Sequence, residues 1–262
     1  RLFTKVRLVG VVGNDFSSSH TATLKKLGVD LTGLEKLPGK TFHWKGHYTQ
    51  NLNEAITEKT ELNVFAEFNP KLSQEHIDSK YLFLANIHPK LQHQVLSKVK
   101  KPKWIACDTM NFWIQNSKQD LIKVLKRVDI SLMNDGEIKM LTGENQIGKA
   151  VKQLMKYGPK IVIVKRGEYG AWCFCGKNYY ALPAVLLDEL KDPTGAGDSF
   201  AGGFLGHLAK TGKTTPAAVK EAAVYGTIVA SFNVQSFSLT RLASLKPKDV
   251  ASRKAVYLKS IL

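Results

Sequence analysis

Apolar runs separated by short polar stretches divide this chain into a regular alternation of strands and helices. Residues 6–12, Val-Arg-Leu-Val-Gly-Val-Val, are nearly continuous in apolar character, which predicts a strand buried on both faces. Gly13-Asn14-Asp15 ends it, and Ser17, Ser18 or Ser19 caps a helix that runs to about Leu27 and stops at Gly28. From residue 81 the rhythm is strand–helix–strand. Strands are predicted at 81–85, 104–108, 129–133 and 160–165, with helices at 89–99, 112–125, 136–141 and 146–157 between and after them. Short strands at 171–175 and 179–183 flank a turn at 176–178, and helices over 196–210 and 216–233 follow. Such alternation with short connections predicts an α/β fold with a mainly parallel central sheet covered on both faces. No repeat or linker interrupts the pattern, so residues 1–262 read as one domain.

Residues 40–68 follow a different period. Thr41-Phe-His-Trp-Lys-Gly-His-Tyr48 alternates, as does Glu61-Leu-Asn-Val-Phe-Ala-Glu-Phe68, with the polar stretch 50–54 between them. The pattern predicts antiparallel strands at 41–48 and 61–68, a small β-lid beside the main sheet. Its apolar face, with Phe42 and Trp44, has three candidate partners: a substrate, a second subunit in a homodimer, or the body of the domain.

The chemistry concentrates in residues 192–205, Asp-Pro-Thr-Gly-Ala-Gly-Asp-Ser-Phe-Ala-Gly-Gly-Phe-Leu. Gly195, Ala196 and Gly197 make a tight turn with little side chain, and from Asp198 the pattern becomes helical. Small residues at a helix N-terminus leave backbone N–H groups bare, and with the helix dipole they form an anion hole. Asp198 then lies in the first turn beside the anion. A carboxylate there is suited to take a proton from a hydroxyl that attacks a phosphoryl group, while the turn holds the developing charge. A helix N-cap in a glycine-rich loop is the plainer reading of any shorter fragment of this stretch.

Taken whole, residues 192–205 resemble the signature of the ribokinase (PfkB-type) family of sugar and nucleoside kinases, with no position departing from it. The resemblance runs from Val6 to about Leu242 and implies a ribokinase-like three-layer sandwich. It also implies an ATP-dependent phosphotransferase acting on a hydroxymethyl group of a sugar or nucleoside. Asn134-Asp-Gly-Glu137, after the strand ending at Met133, matches the family's Asn-x-x-Glu motif, which implies a role around Mg²⁺ through water. Lys165-Arg-Gly-Glu-Tyr-Gly170 matches the Gly-x-x-Gly turn along the nucleotide phosphates: Gly167 and Gly170 fit, and Lys165 reaches a phosphate oxygen. Residues 222–236 resemble the adenine-side helix and loop, which brings Asn233 to the nucleotide, and Asp192 stands where ribokinase holds a monovalent cation such as K⁺. The strand with an Asp and the Gly-Gly segment that normally open the family are absent before Arg1, so a longer native chain is expected. Asp108, which ends a strand, either faces the site or caps a helix.

Charge and cysteines refine this picture. The formal net charge is +16, with 38 Lys+Arg against 22 Asp+Glu. The lysines are scattered without aromatic interleaving, which reads as a solvated surface rather than a nucleic-acid interface. No apolar run approaches the ~20 residues that span a bilayer, and no signal-like segment opens the chain, so a cytoplasmic protein is expected. Cys173 and Cys175 alternate on one strand face and, with Cys107, read as buried thiols. No His/Asp/Ser set points to hydrolysis. The rival readings are a non-catalytic nucleotide or sugar sensor on the same fold and, from charge alone, a nucleic-acid binder.

Overall fold

The computed structural model describes residues 1–49, 52, 53 and 55–261. Its largest sheet has six strands in the order β10-β9-β8-β7-β6-β5. These are β5 (Tyr81–Leu84), β6 (Trp104–Asp108), β7 (Ile130–Asn134), β8 (Ile161–Lys165), β9 (Ala171–Cys175) and β10 (Asn178–Leu182). β5 to β8 run parallel, while β9 and β10 form an antiparallel edge. Val, Ile, Leu and Met occupy both parities of β7 and β8, so both faces must be covered. Ala106, Ile130, Leu132, Ile161 and Ile163 pack on one side against α8 (Ala196–Thr211), α9 (Pro216–Asn233) and α11 (Pro247–Ser260). Cys107, Met133, Val162 and Val164 pack on the other, against helices that include α3 (Pro89–Lys98), α5 (Lys118–Leu125), α6 (Asp135–Thr142) and α7 (Ile147–Tyr157). Two cores around one sheet make the three-layer sandwich. All three cysteines are buried and free.

Two smaller sheets stand apart. β1 (Val6–Val12) pairs in parallel with β2 (Val29–Lys36) across α1 (Ser18–Lys26), whose N-cap Ser17 accepts the Ser19 N–H. The apolar pattern predicts no element over residues 29–36, because Thr32, Gly33 and Glu35 interrupt a short run. β3 (His43–Tyr48) pairs antiparallel with β4 (Ala55–Glu61).

The second strand of this hairpin is therefore not the predicted 61–68 but 55–61. Residues 62–68 instead fold in turns: Asn63 is left-handed with φ 49°, its Nδ2 donates to Thr41 O, and Val64 N donates to Lys40 O. Val64 and Phe68 thereby reach Val11 in a small third core. The alternation in 62–68 is the imprint of that burial, whereas β4 is mostly exposed and carries little apolar signal. Of the polar stretch expected between the strands, Gln50, Asn51 and Glu54 lie outside the described residues.

The remaining differences are local. The expected helix 112–125 is split into α4 (Asn111–Asn116) and α5 at Ser117, where the backbone leaves the helical region. The chain also carries α2 (Gln74–Ile77), and α10 (Thr240–Ser244) precedes α11.

Candidate active site

Strand parity builds the floor of the site. Asp108, Asn134 and Lys165 are the last residues of β6, β7 and β8, and each falls on the face that packs against α8. Polar side chains at the C-terminal ends of adjacent parallel strands form the crevice where open α/β sheets bind ligands. Lys165 Nζ donates to Asp108 Oδ2 at 2.9 Å, with 17% of the lysine side chain and 4% of the aspartate exposed. Burial acts to lower the Lys165 pKa, but the Asp108 and Glu137 carboxylates outweigh it and hold the ammonium charged.

Asn134 and Glu137 form the N-terminal capping box of α6. Asn134 Oδ1 accepts the Glu137 N–H at 2.7 Å, and Glu137 Oε2 accepts the Asn134 N–H at 2.6 Å. Glu137 is nevertheless more than a cap. Burial pushes its carboxyl up to about 7; the Lys165 charge pulls it down and the Asp108 carboxylate adds to the rise.

The roof is the turn into α8. Gly195 is the N-cap with φ 79°, a left-handed conformation that a side chain would strain. The Ala196 N–H donates back to Pro193 O, and the Ser199 N–H is the first to close on the helix, at Gly195 O. The N–H groups of Gly197 and Asp198 lie between them with no acceptor within the helix, as first-turn groups must. Asp192 Oδ1 accepts the Thr194 N–H at 2.9 Å and so shapes the approach to the turn. Asn233, at the end of α9, clasps it: Nδ2 donates to Thr194 O at 2.8 Å and Oδ1 accepts from Ser199 Oγ at 3.0 Å. Asp198 is open to solvent at its rim, yet crowded protein atoms and the Asp108 carboxylate push its carboxyl upward, against the pull of Lys165.

The β3–β4 hairpin reaches this turn. Its outward face carries ion pairs, Lys45–Glu58 at 2.7 Å and His47–Glu58 at 2.8 Å. Trp44 and Tyr48 share the other face. Phe42 leaves the strand to pack against Phe65, with ring centroids 5.4 Å apart, while the Tyr48 hydroxyl accepts from Thr194 Oγ1 at 3.4 Å. Asn53 Oδ1 accepts the Glu168 N–H at 2.9 Å, so the hairpin tip sits on the Gly167–Gly170 turn. Both of those glycines have positive φ.

The structure thus brings Asp198, Lys165, Glu137 and Asp108 into one electrostatic group and makes Asn233 a support of the turn into α8. Gly167 and Gly170 lie just beyond Lys165, beneath the hairpin. Asp108 caps no helix; the N-cap of α4 is Met110. Its signal in the sequence is its place as the polar last residue of a buried strand.

A sequence profile of the pfkB family carbohydrate kinases matches residues 1–245. The chain belongs to the pfkB family of carbohydrate kinases. A cytidine kinase of Thermococcus kodakarensis is 31% identical to this pfkB-family chain over 207 residues, 77% of this chain and 73% of that protein. Among solved structures, a nucleoside kinase of Methanocaldococcus jannaschii, an archaeal member of the ribokinase family, superposes with a TM-score of 0.77 at 20% identity, covering 97% of this chain and 82% of that one. A putative ribokinase II from E. coli, in complex with ATP and Mg²⁺, gives 0.78 at 20% identity over 97% of this chain and 84% of the other. These neighbours show the ribokinase-like fold of the pfkB-family chain. Among the described residues, no helix is long and apolar enough to cross a membrane.

Proposed function

We propose that this pfkB-family chain is an ATP-dependent kinase that phosphorylates a hydroxymethyl group of a sugar or nucleoside, with Mg²⁺ accompanying the nucleotide. The observation that carries the reading is the meeting of Asp198 with the bare N–H groups of its own helix turn and with the Lys165–Asp108 pair. A carboxylate with a raised proton affinity beside donors for an anion combines a general base with charge stabilisation. Asp198 accepts the proton of the acceptor hydroxyl as its oxygen attacks. The Gly197 and Asp198 N–H groups and Lys165 receive the charge that grows on the transferring phosphoryl group, so the barrier falls chiefly by positioning and electrostatics.

The residues present fit a divalent cation brought in by phosphates. When ionised, Asp108, Glu137 and Asp198 all face the Lys165 ammonium, which among the described residues leaves the floor negative. Among the described residues, no group of three His, Cys, Asp or Glu is placed to hold a metal unaided. Mg²⁺ keeps its waters and takes few carboxylates. Asn134 and Glu137 would hold it through water, Glu137 by Oε1, the oxygen that the capping box does not use. Bound there, Mg²⁺ supplies neutralisation of phosphate charge.

The hairpin supplies the acceptor side. Trp44 and Tyr48 share the face that reaches the anion turn, and their rings stack on a sugar face or on a base. The 31% identity to a cytidine kinase supports a nucleoside acceptor. The test is ADP release with cytidine, adenosine, ribose and fructose as acceptors, on wild type and Asp198→Asn. The substitution keeps size and helix position and removes only the proton acceptor. Turnover is expected to fall by ~10²–10⁴-fold while ATP binding, read by calorimetry, survives. A variant with near-normal turnover removes Asp198 as the base; a wild type that binds ATP and turns over nothing favours the sensor reading.

A further inference from the structure

Asp108 is held from three directions. Its Oδ1 accepts the Thr109 N–H at 2.8 Å, its Oδ2 accepts Lys165 Nζ at 2.9 Å, and its backbone carbonyl accepts from the buried Gln92 Nε2 at 3.1 Å. Gln92 also donates to Ala85 O at 3.0 Å, so the Asp108 backbone is tied to the end of the neighbouring strand. Lys165 reaches it from the end of β8. On the other side, Nζ lies 3.3 Å from where a Cβ on residue 197 would stand. The lysine head thus rests against the Gly195–Asp198 turn in the space that Gly197 leaves open, and among the described residues one of its three donors is used.

A purely structural explanation is weak here. A buried ion pair is commonly replaceable by apolar residues without loss of stability. This one instead sits at the strand-end rim, against the turn that precedes Asp198. We infer that Asp108 is a positioning residue for phosphoryl transfer: it presents the Lys165 ammonium beneath the Gly197–Asp198 turn before any nucleotide arrives, leaving two N–H donors for the incoming phosphoryl oxygens. The inference rests on the kinase reading and adds a residue that acts through Lys165 rather than on the substrate.

The test uses the full chain and MgADP as the probe, titrated calorimetrically with and without fluoroaluminate, a mimic of the phosphoryl group in flight. The proteins are wild type, D108N, K165M and the double variant, with thermal melting as the check on folding. In wild type, fluoroaluminate tightens MgADP. In D108N the affinity for MgADP alone is nearly unchanged, but the fluoroaluminate gain shrinks by about tenfold or more, a fraction of what losing an aimed donor outright removes. The double variant is no worse than K165M, since Asp108 has no route except the lysine. D108E keeps the charge but displaces the ammonium by about a methylene, and it shows the same loss if D108N folds poorly. A D108N or D108E protein with the full wild-type gain overturns the inference, as does strict additivity of D108N and K165M. A wild type that binds no MgADP refutes the kinase reading and this inference together; a wild type with the gain and a D108N equal to it refutes this inference alone.

Discussion

Glu137 caps a helix end and stands in the candidate site. Its capping-box geometry would be satisfied by glutamine, whose amide oxygen also accepts the Asn134 N–H. The carboxyl is different because burial raises it from 4.5 to about 7. A group with a raised folded-state pKa contributes stability that is fully present below the unfolded value and is lost as pH rises through the folded one. The window for Glu137 is therefore about pH 4.5 to 7, and above it the protein carries a buried charge. Glu137→Gln is expected to be more stable than wild type at pH 8, by an amount on the order of 3 kcal/mol at most, with the advantage fading toward pH 5. Calorimetric melting at both pH values checks this, and an equal difference at both would show that the carboxyl is not strained by ionisation. The same variant is expected to need more Mg²⁺ for half-maximal activity. Stability gained and function lost together would mark a carboxylate kept for function.

At the scale of elements, the site depends on how closely α8 and α9 approach. A Cβ on Gly203 would lie 2.7 Å from Tyr225 O, and one on Gly226 would lie 2.9 Å from Phe200 O. Both neighbours are backbone atoms, which cannot step aside as a flexible side chain can. The close packing is what carries Asn233, at the end of α9, to Thr194 and Ser199 at the start of α8. Alanine in a helix normally gains up to about 1 kcal/mol over glycine. Gly203→Ala is expected to reverse that sign and destabilise by about 1–3 kcal/mol, with turnover falling as the anion turn loses its clasp. Gly202→Ala is the control, because a Cβ there meets nothing within 4 Å, and it should stabilise. Urea unfolding of both variants decides; two stabilised proteins would mean that α8 and α9 separate without penalty.

For the whole molecule, charge is the dominant feature that no site absorbs. A net charge of +16 repels itself in the compact state, and surface ion pairs such as Lys45–Glu58 and Lys71–Glu35 are mostly exposed and contribute little each. Raising ionic strength to about 0.15 M shortens the screening length to about 8 Å, which weakens long-range repulsion more than contact pairs. The melting temperature at neutral pH is therefore expected to rise with added NaCl. A fall would show that short-range pairs outweigh the global repulsion.

Much of this protein is legible in its sequence because the forces that shape each element act locally. Apolar runs mark β1 and β5–β10, although only β6–β8 are buried on both faces while the first half of β1 and most of β10 are exposed; Gly195 marks the start of α8, and Asp198 follows in its first turn, since period and turn chemistry operate over a few residues. Where burial is slight, that signal fades: β4 exposes most of its residues, so the expected strand falls instead on the buried turns at 62–68. The meetings that make the site belong to tertiary structure alone. Asp108 and Lys165 are 57 residues apart, and Asn233 is 39 from Thr194. No periodicity links such pairs. They meet because parallel strands end side by side and because glycines let two helices touch, and only the packed chain brings those distances to hydrogen-bond length.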